Sequence, residues 1–199
     1  MKNFANRTDE ELALLYAGGD DSAFDELLAR NEQKLFGYIM FVVHDEHVAN
    51  DIFQDTFVKA IVKLRDGKYT DSGKFLFWLT RIAHNVIMDL YRREKSERIV
   101  DVNEQNDLSQ LHGASLSALS RENEVVNSQV LADVHQIMNA LPVAQREVVY
   151  MRFYQNMSFK EIAESTGVSI NTSLGRMRYA VINMRRMAKQ NRISLNLEL

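Results

Sequence analysis

The chain has 199 residues, 46% of them hydrophobic, enough for one full domain or two small ones. Eight glycines and one proline fall well below ordinary usage of about 7% and 5%, which excludes collagenous, proline-rich and turn-dense β architectures and points to helices. The absence of cysteine excludes a disulfide scaffold, a thiolate zinc site and a cysteine nucleophile, and the net charge of −3 hides a gradient. Residues 1–29 hold seven acids and two bases, whereas 171–192 hold six bases and no acid. An acidic front and a basic back suggest two kinds of partner, one of them polyanionic.

The first fifteen residues carry Asp9, Glu10 and Glu11 and read as no signal peptide. Thr8-Asp9-Glu10-Glu11 is a capping-box pattern that predicts a short first helix, ended by Gly18-Gly19. Ser22 is the expected cap of a second helix running to about Val43. Its apolar stretch from Tyr38 to Val43 is far shorter than the ~20 residues of a membrane span, so membrane insertion is not expected and the chain reads as cytoplasmic. A third helix is predicted from about His47 to Arg65, with Val48, Ile52, Phe53, Phe57, Ala60, Ile61 and Leu64 on one face. A fourth runs from about Gly73 to Arg93, with Phe75, Trp78, Leu79, Ile82, Ala83, Val86 and Leu90 in the same rhythm. From Glu94 to about Ser128 polar residues dominate and no sustained period survives, the composition of a linker that cannot offset its ordering entropy. Helix is expected to return between Arg121 and Ala140. The fold class is therefore all-α: helical domains over 1–95 and 128–199, joined by a flexible acidic linker over 96–127.

Three constellations carry function. On the third helix Asp51, Gln54, Asp55 and Val58 fall at i, i+3, i+4 and i+7, a stripe opposite the apolar face that can accept hydrogen bonds from a basic partner helix. The fourth helix pairs its apolar face with a polar one carrying Arg81, Asn85, Asp89, Arg92 and Arg93. The loop before it holds Tyr69, Thr70, Asp71 and Ser72, and aromatics and amides beside bases are what stacks and hydrogen-bonds an unpaired nucleobase. The third is the most specific. Ser158-Phe159-Lys160-Glu161 opens a short helix, Gly167 permits a tight turn, Val168 seals it, and Ser169 caps a helix from Ile170 to about Arg186. That is a helix-turn-helix, with Ile170, Ser173, Met177, Val181 and Met184 expected inward and Asn171, Gly175, Arg178 and Arg185 outward. Enzymatic readings fare poorly. The one dense set of metal-ligand types, His44-Asp45-Glu46-His47, sits at a predicted helix boundary, where acids are ordinary. No catalytic group and no cofactor is expected.

In order, these residues resemble the extracytoplasmic-function subfamily of bacterial RNA polymerase sigma factors. The likeness is carried by Asp21-Ser22-Ala23-Phe24, by Asp51-Ile52-Phe53-Gln54-Asp55-Thr56-Phe57 and by Phe75 to Asn85 (FLFWLTRIAHN). The helix-turn-helix, introduced by Leu141-Pro142 and Arg146, completes it. The resemblance implies that Asp51, Gln54 and Asp55 dock on the clamp helices of the polymerase largest subunit. It implies that Tyr69, Thr70, Asp71, Ser72 and Asn85 hold the melted −10 element, with Arg81, Arg92 and Arg93 near phosphate. It also implies that the C-terminal domain binds the polymerase flap and reads the −35 element of promoter DNA, and that an anti-sigma factor controls the chain.

One departure matters. Where many relatives carry Gly-Thr-Val-(Lys or Arg)-Ser-Arg, this chain reads Asn171-Thr172-Ser173-Leu174-Gly175-Arg176. Leu174 can touch a thymine methyl and Gly175 allows close approach, but neither reads guanine. Base reading therefore shifts to Arg178 and Tyr179, with Thr172 and Arg176 on phosphate. The expectation is a promoter-specificity subunit. The alternative is a helix-turn-helix regulator that acts without joining the polymerase, and a third reading is a metal-dependent hydrolase built on His44–His47.

Overall fold

The computed structural model describes residues 4–69, 74–101 and 134–190. Among them every regular element is a helix: α1 (Asp9–Ala17), α2 (Asp21–Val43), α3 (Glu46–Arg65), α4 (Phe75–Asp101), α5 (described over 134–139), α6 (Val143–Phe153), α7 (Phe159–Thr166) and α8 (Ile170–Gln190). The chain forms two compact units, one built on α1–α4 and the other on α5, α6 and α8, with α7 leading into α8. None of these helices is long and apolar enough to cross a membrane.

In the first unit α2 packs against α1, α3 and α4, and α3 also packs on α4. The α1 capping box forms as the sequence predicts: the Glu11 amide donates to Thr8 Oγ1 at 3.2 Å and the Thr8 amide donates to Glu11 Oε2 at 3.1 Å. Ser22 does not cap α2. Asp20 occupies the cap position, and Ser22 sits inside the first turn with its hydroxyl donating to Asp20 Oδ1 at 2.6 Å. Leu12, Leu27, Leu35, Tyr38, Ile39, Leu64, Leu79 and Ile87 are fully or almost fully buried and make the core. Each such side chain stabilises the fold by about 1.5–3 kcal/mol. Phe24, Phe53 and Phe57 continue the core as edge-on and tilted aromatic pairs, with ring centroids 4.9–6.0 Å apart.

α4 runs eight residues beyond the expected end at Arg93, to Asp101. The apolar rhythm stops there, but Arg92-Arg93-Glu94-Lys95-Ser96-Glu97-Arg98 consists almost wholly of good helix formers, and propensity carries the helix on. Of the expected linker, 96–101 is thus helical, and the remainder lies outside the described residues.

In the second unit α6 packs on α8, and the Asn183 side-chain amide donates to Gln145 Oε1 at 2.8 Å across that contact. Val148, Val149, Met151, Ile162 and Ala180 are buried. The second capping box also forms, the Ser158 amide donating to Glu161 Oε2 at 2.7 Å and the Glu161 amide to Ser158 Oγ at 3.3 Å. Gly167 ends α7 at φ +67°, a left-handed conformation that favours glycine, and the Val168 amide reaches back to the Ala163 carbonyl at 3.0 Å. Ser169 caps α8, accepting from the Thr172 amide at 3.0 Å. α8 ends at Gln190 rather than near Arg186. Ser173 is buried as expected, but Ile170, expected inward, is 46% exposed. It is the first residue of α8, where no preceding helical turn exists to set its side chain in the apolar row.

Candidate nucleic-acid and partner interfaces

Three surfaces hold the residues singled out by sequence. Asp51, Gln54 and Asp55 are all exposed on α3, opposite the buried Ile52, Thr56, Phe57 and Ala60. Asp51 and Asp55 line a shallow groove of about 130 Å³ between α3 and α4; Gln54 lies outside it. Val48, Ile52, Val86 and Leu90 give the groove an apolar lining, and Asp89 of α4 adds a third carboxylate, with Lys59 and Arg93 alongside. Sequence reasoning had set Asp89 and Arg93 on the nucleic-acid face of α4. They are instead neighbours of the α3 acids, because the α3–α4 packing turns that edge of α4 toward α3. Three carboxylates over an apolar lining can seat an Arg or Lys whose stem lies on the apolar part.

The second surface is the polar face of α4. Arg81 and Asn85 are exposed one turn apart, and Ile82, Ala83, Val86 and Ile87 on the other side of the helix are buried. Arg92 is exposed and bonded to Asp89, Nη1 to Oδ1 at 2.8 Å, an i, i+3 pair of the kind worth little at a surface. Thr70, Asp71 and Ser72 lie outside the described residues. Tyr69 does not present a free ring. It is 7% exposed and packs edge-on against Phe75 at 5.7 Å and Trp78 at 5.0 Å. An aromatic in a polar loop has no periodicity to reveal that it folds inward; its two aromatic neighbours across the loop supply the apolar surface that draws it in. Stacking on a base by Tyr69 is therefore ruled out in this arrangement.

One contact at the entry to α4 escaped sequence reasoning. Glu10 of α1 accepts a hydrogen bond from the Phe75 amide, Oε1 to N at 2.9 Å. Burial raises the Glu10 pKa, but hydrogen bonds from the Phe75 amide, its own amide and the Thr8 hydroxyl outweigh it, so the carboxyl titrates below its ordinary value. The partners are 65 positions apart, and no local pattern announces the pair.

The third surface is α8. Asn171, Thr172, Leu174, Arg178 and Tyr179 are exposed, Leu174 at 44% and Tyr179 at 61%, while Gly175 and Arg176 are half-buried. Leu174 and Arg178 stand one turn apart. The Thr172 hydroxyl lies 2.9 Å from that of Ser169, so it is already part of the cap. The face combines arginines, a tyrosine and an exposed leucine at the start of a capped helix after a tight turn, the side-chain chemistry that DNA major grooves accept. Behind it, Tyr150 and Tyr154 stack with centroids 4.8 Å apart, and burial, then the neighbouring Tyr154, pushes the Tyr150 pKa up to about 12.

His44–His47 are absorbed by helix ends. His44 is the C-cap of α2 at φ 57°, Asp45 caps α3 by accepting from the Val48 amide at 2.9 Å, and Glu46 opens α3. No group of three or more His, Cys, Asp or Glu residues placed to hold a metal ion exists among the described residues.

Two helical units, one with an acidic groove between α3 and α4 and the other with a helix-turn-helix bearing a basic face, fit a DNA-binding protein that works with a second protein. Comparison with known proteins agrees. Residues 27–97 match the model of Sigma-70 region 2, and 131–173 that of Sigma-70 region 4. The chain is similar to RNA polymerase sigma factor NccH of Alcaligenes xylosoxydans xylosoxydans, 32% identical over 166 residues that cover 81% of this chain and 84% of that one. It is also similar to the RNA polymerase sigma-H factor of Pseudomonas aeruginosa, 29% identical over 171 residues, 85% of this chain and 88% of that one. Among solved structures it resembles CnrH in complex with the cytosolic domain of CnrY, with a TM-score of 0.62, 26% identity and coverage of 92% of this chain and 97% of that one. The chain belongs to the extracytoplasmic-function subfamily of bacterial RNA polymerase sigma factors. It is a non-enzymatic initiation factor that binds core polymerase and directs it to promoters.

Proposed function

We propose that the three surfaces divide the work of initiation. The α3–α4 groove docks on a basic helix of the polymerase largest subunit, with Asp51 and Asp55 as acceptors, Gln54 beside them and Asp89 as a third carboxylate. The polar face of α4 holds the melted −10 element. Asn85 is the base-reading residue, because an amide both donates and accepts and can meet the edge of an extruded base. Arg81 meets the adjoining phosphates, Thr70, Asp71 and Ser72 serve as loop partners, and Arg92 and Arg93 assist near the groove. Tyr69 supports this face from beneath, through Phe75 and Trp78. No bond is made or broken: transient base-pair opening is trapped because the exposed base gains contacts on the protein that duplex DNA does not offer.

In the second unit, Arg178 and Tyr179 read bases in the −35 major groove. Leu174 contacts a thymine methyl, Gly175 allows close approach, and Asn171, Thr172 and Arg176 meet the backbone. Flap contact falls to this unit as well. The chain acts in the cytoplasm, and by likeness to CnrH, solved with the cytosolic domain of CnrY, an inhibitory protein holds it until a signal arrives.

The single observation that supports the opening mechanism most is the exposure of Asn85 one turn after Arg81, on a helix whose opposite face is buried. Reconstituted run-off transcription with core polymerase, beside permanganate footprinting, tests it. Asn85→Ala is expected to slow promoter opening about tenfold, in line with about 1–3 kcal/mol for the contacts of one captured base. Core affinity should stay unchanged, and a premelted template should restore activity only in part. Opening at the wild-type rate would rule out Asn85 as the capture residue.

A further inference from the structure

We infer that Glu10 is a positioning residue for promoter opening: its carboxylate, on α1, fixes the start of α4 and through it the placement of Arg81 and Asn85. The inference rests on the reading of α4's polar face given above.

α4 is held in the first unit mainly by the buried apolar side chains of Phe75, Leu79, Ile82, Ala83, Val86 and Ile87, with Thr80 and His84 also buried. Apolar contact is strong but non-directional, so it fixes which face is buried better than it fixes axial position. Directional bonds set the register. At its first turn a helix carries amides without an intrahelical partner, and the Phe75 amide is one of them. Glu10 Oε1 accepts from it at 2.9 Å. An ionised acceptor makes the stronger, charge-assisted bond and sits at the positive end of the helix dipole.

Phe75 is an anchor in a second respect. Its ring is 1% exposed and packs against Tyr69 and Trp78, at 5.7 and 5.6 Å. Backbone and ring of one residue are thus both fixed, ten positions before Asn85, about 15 Å along the helix. Further along α4, beyond Asn85, the Tyr91 hydroxyl donates to the Val42 carbonyl at 3.5 Å. Arg81 and Asn85 lie between these two polar ties. A site that must meet one extruded base has to be held within about 0.5 Å, and Glu10 supplies the shorter and charged tie.

The test uses the full chain with core polymerase and three variants. Glu10→Ala removes the acceptor, Glu10→Gln keeps an oxygen of the same reach without the charge, and Glu10→Asp keeps the charge but falls one methylene short. Glu10→Ala and Glu10→Asp are expected to open promoters about tenfold more slowly, with core affinity within twofold of wild type. Glu10→Gln is expected to recover to within threefold. Hydrogen exchange at the Phe75 amide should rise in the Ala and Asp variants and stay low in the Gln variant. Should Glu10→Ala fail to fold, the Asp and Gln pair decides the matter alone. Wild-type opening by Glu10→Asp, or a Gln variant as slow as the Asp one, overturns the inference. So does a loss of core affinity that parallels the loss of opening. Asn85→Ala separates the two claims: if it opens normally the reading of α4 fails, whereas slow Asn85→Ala beside normal Glu10→Asp sinks only the role of Glu10.

Discussion

The two units solve the problem of presenting a working face in different ways. The first buries large aromatic and aliphatic side chains among α1–α4 and leaves its functional residues as polar stripes on α3 and α4. The second exposes more large apolar side chains, four of them on α8. Of nine large apolar residues exposed among those described, Phe153, Tyr154, Ile170, Leu174, Tyr179 and Ile182 lie in the second unit, and only Leu14, Val58 and Val62 lie in the first. Exposed apolar surface of that kind suits burial against a partner. In the division of work proposed above, the first unit acts through charge and amides held by a finished core, and the second also through apolar surface.

The strongest way to break that comparison is to reverse the charges of the first unit's groove. Asp51→Arg combined with Asp55→Arg is expected to weaken core binding by about 100-fold or more, because opposed cations at a docked contact cost several kcal/mol. Helicity and melting should hardly change, since both positions are exposed. Fluorescence anisotropy with labelled core measures the first, and circular dichroism the second. Near-native affinity would show that the groove is merely a solvated face.

A smaller effect is expected on α8, and its form separates base reading from phosphate contact. Arg178→Ala should flatten discrimination at one base pair of the −35 element by about 1–3 kcal/mol. Arg176→Ala should weaken binding uniformly across sequences and reduce the salt slope by about one. Holoenzyme binding to a panel of −35 variants at several salt concentrations distinguishes them. If the two variants behave alike, α8 holds backbone only, and its exposed Leu174 and Tyr179 need another explanation.

The features legible in the sequence were those with short-range causes. Thr8 with Glu11, Ser158 with Glu161, Gly167 and Ser169 each act within five residues, and each forms the predicted contact. The buried faces of α3 and α4 were equally legible, because a 3.6-residue period states its own direction. The end of α4 was not. Its last eight residues have propensity without periodicity, and a reader of apolar rhythm stops at Arg93. Tyr69 and Asp89 show the other gap. Whether a loop aromatic turns inward, or a carboxylate joins a neighbouring helix's acids, depends on elements distant in sequence. The Glu10–Phe75 bond is the extreme case, with 65 positions between donor and acceptor.

The two capping boxes sharpen the comparison at a lower energy. Thr8→Ala and Ser158→Ala each remove a side-chain acceptor at a helix start, worth about 1 kcal/mol. Each is expected to lower the melting of its own unit by several degrees and leave the other untouched. Calorimetry of the full chain, or amide exchange resolved by unit, reads this directly. A shift of both units by one substitution would show that they unfold as one body.

The smallest effect at neutral pH lies in the opposite pH sensitivities of the units. Glu10 in the first titrates below its ordinary range, so its stabilising contribution is present above the unfolded carboxyl pKa and is lost as pH falls through the native one. Tyr150 in the second behaves in reverse. Its pKa is pushed up to about 12, by burial first and by Tyr154 second, against an ordinary value of 10.0. At pH 7 both folded and unfolded forms keep the phenol proton, and nothing is gained or lost. Between about pH 10 and 12 the unfolded chain releases the proton while the folded chain retains it, so stability falls as pH rises. A full separation of that size gives about 1 kcal/mol between pH 10 and 11, and partial exposure of Tyr150 reduces this further. Tyr150→Phe keeps the stacked ring and removes the proton, so its stability should fall less steeply between pH 7 and 11 than that of the wild type. Denaturant titrations of both proteins at pH 7, 10 and 11 measure it. Equal alkaline losses would mean that the Tyr150 hydroxyl meets water freely, and that the Tyr150–Tyr154 stack is part of the second unit's open surface rather than of its core.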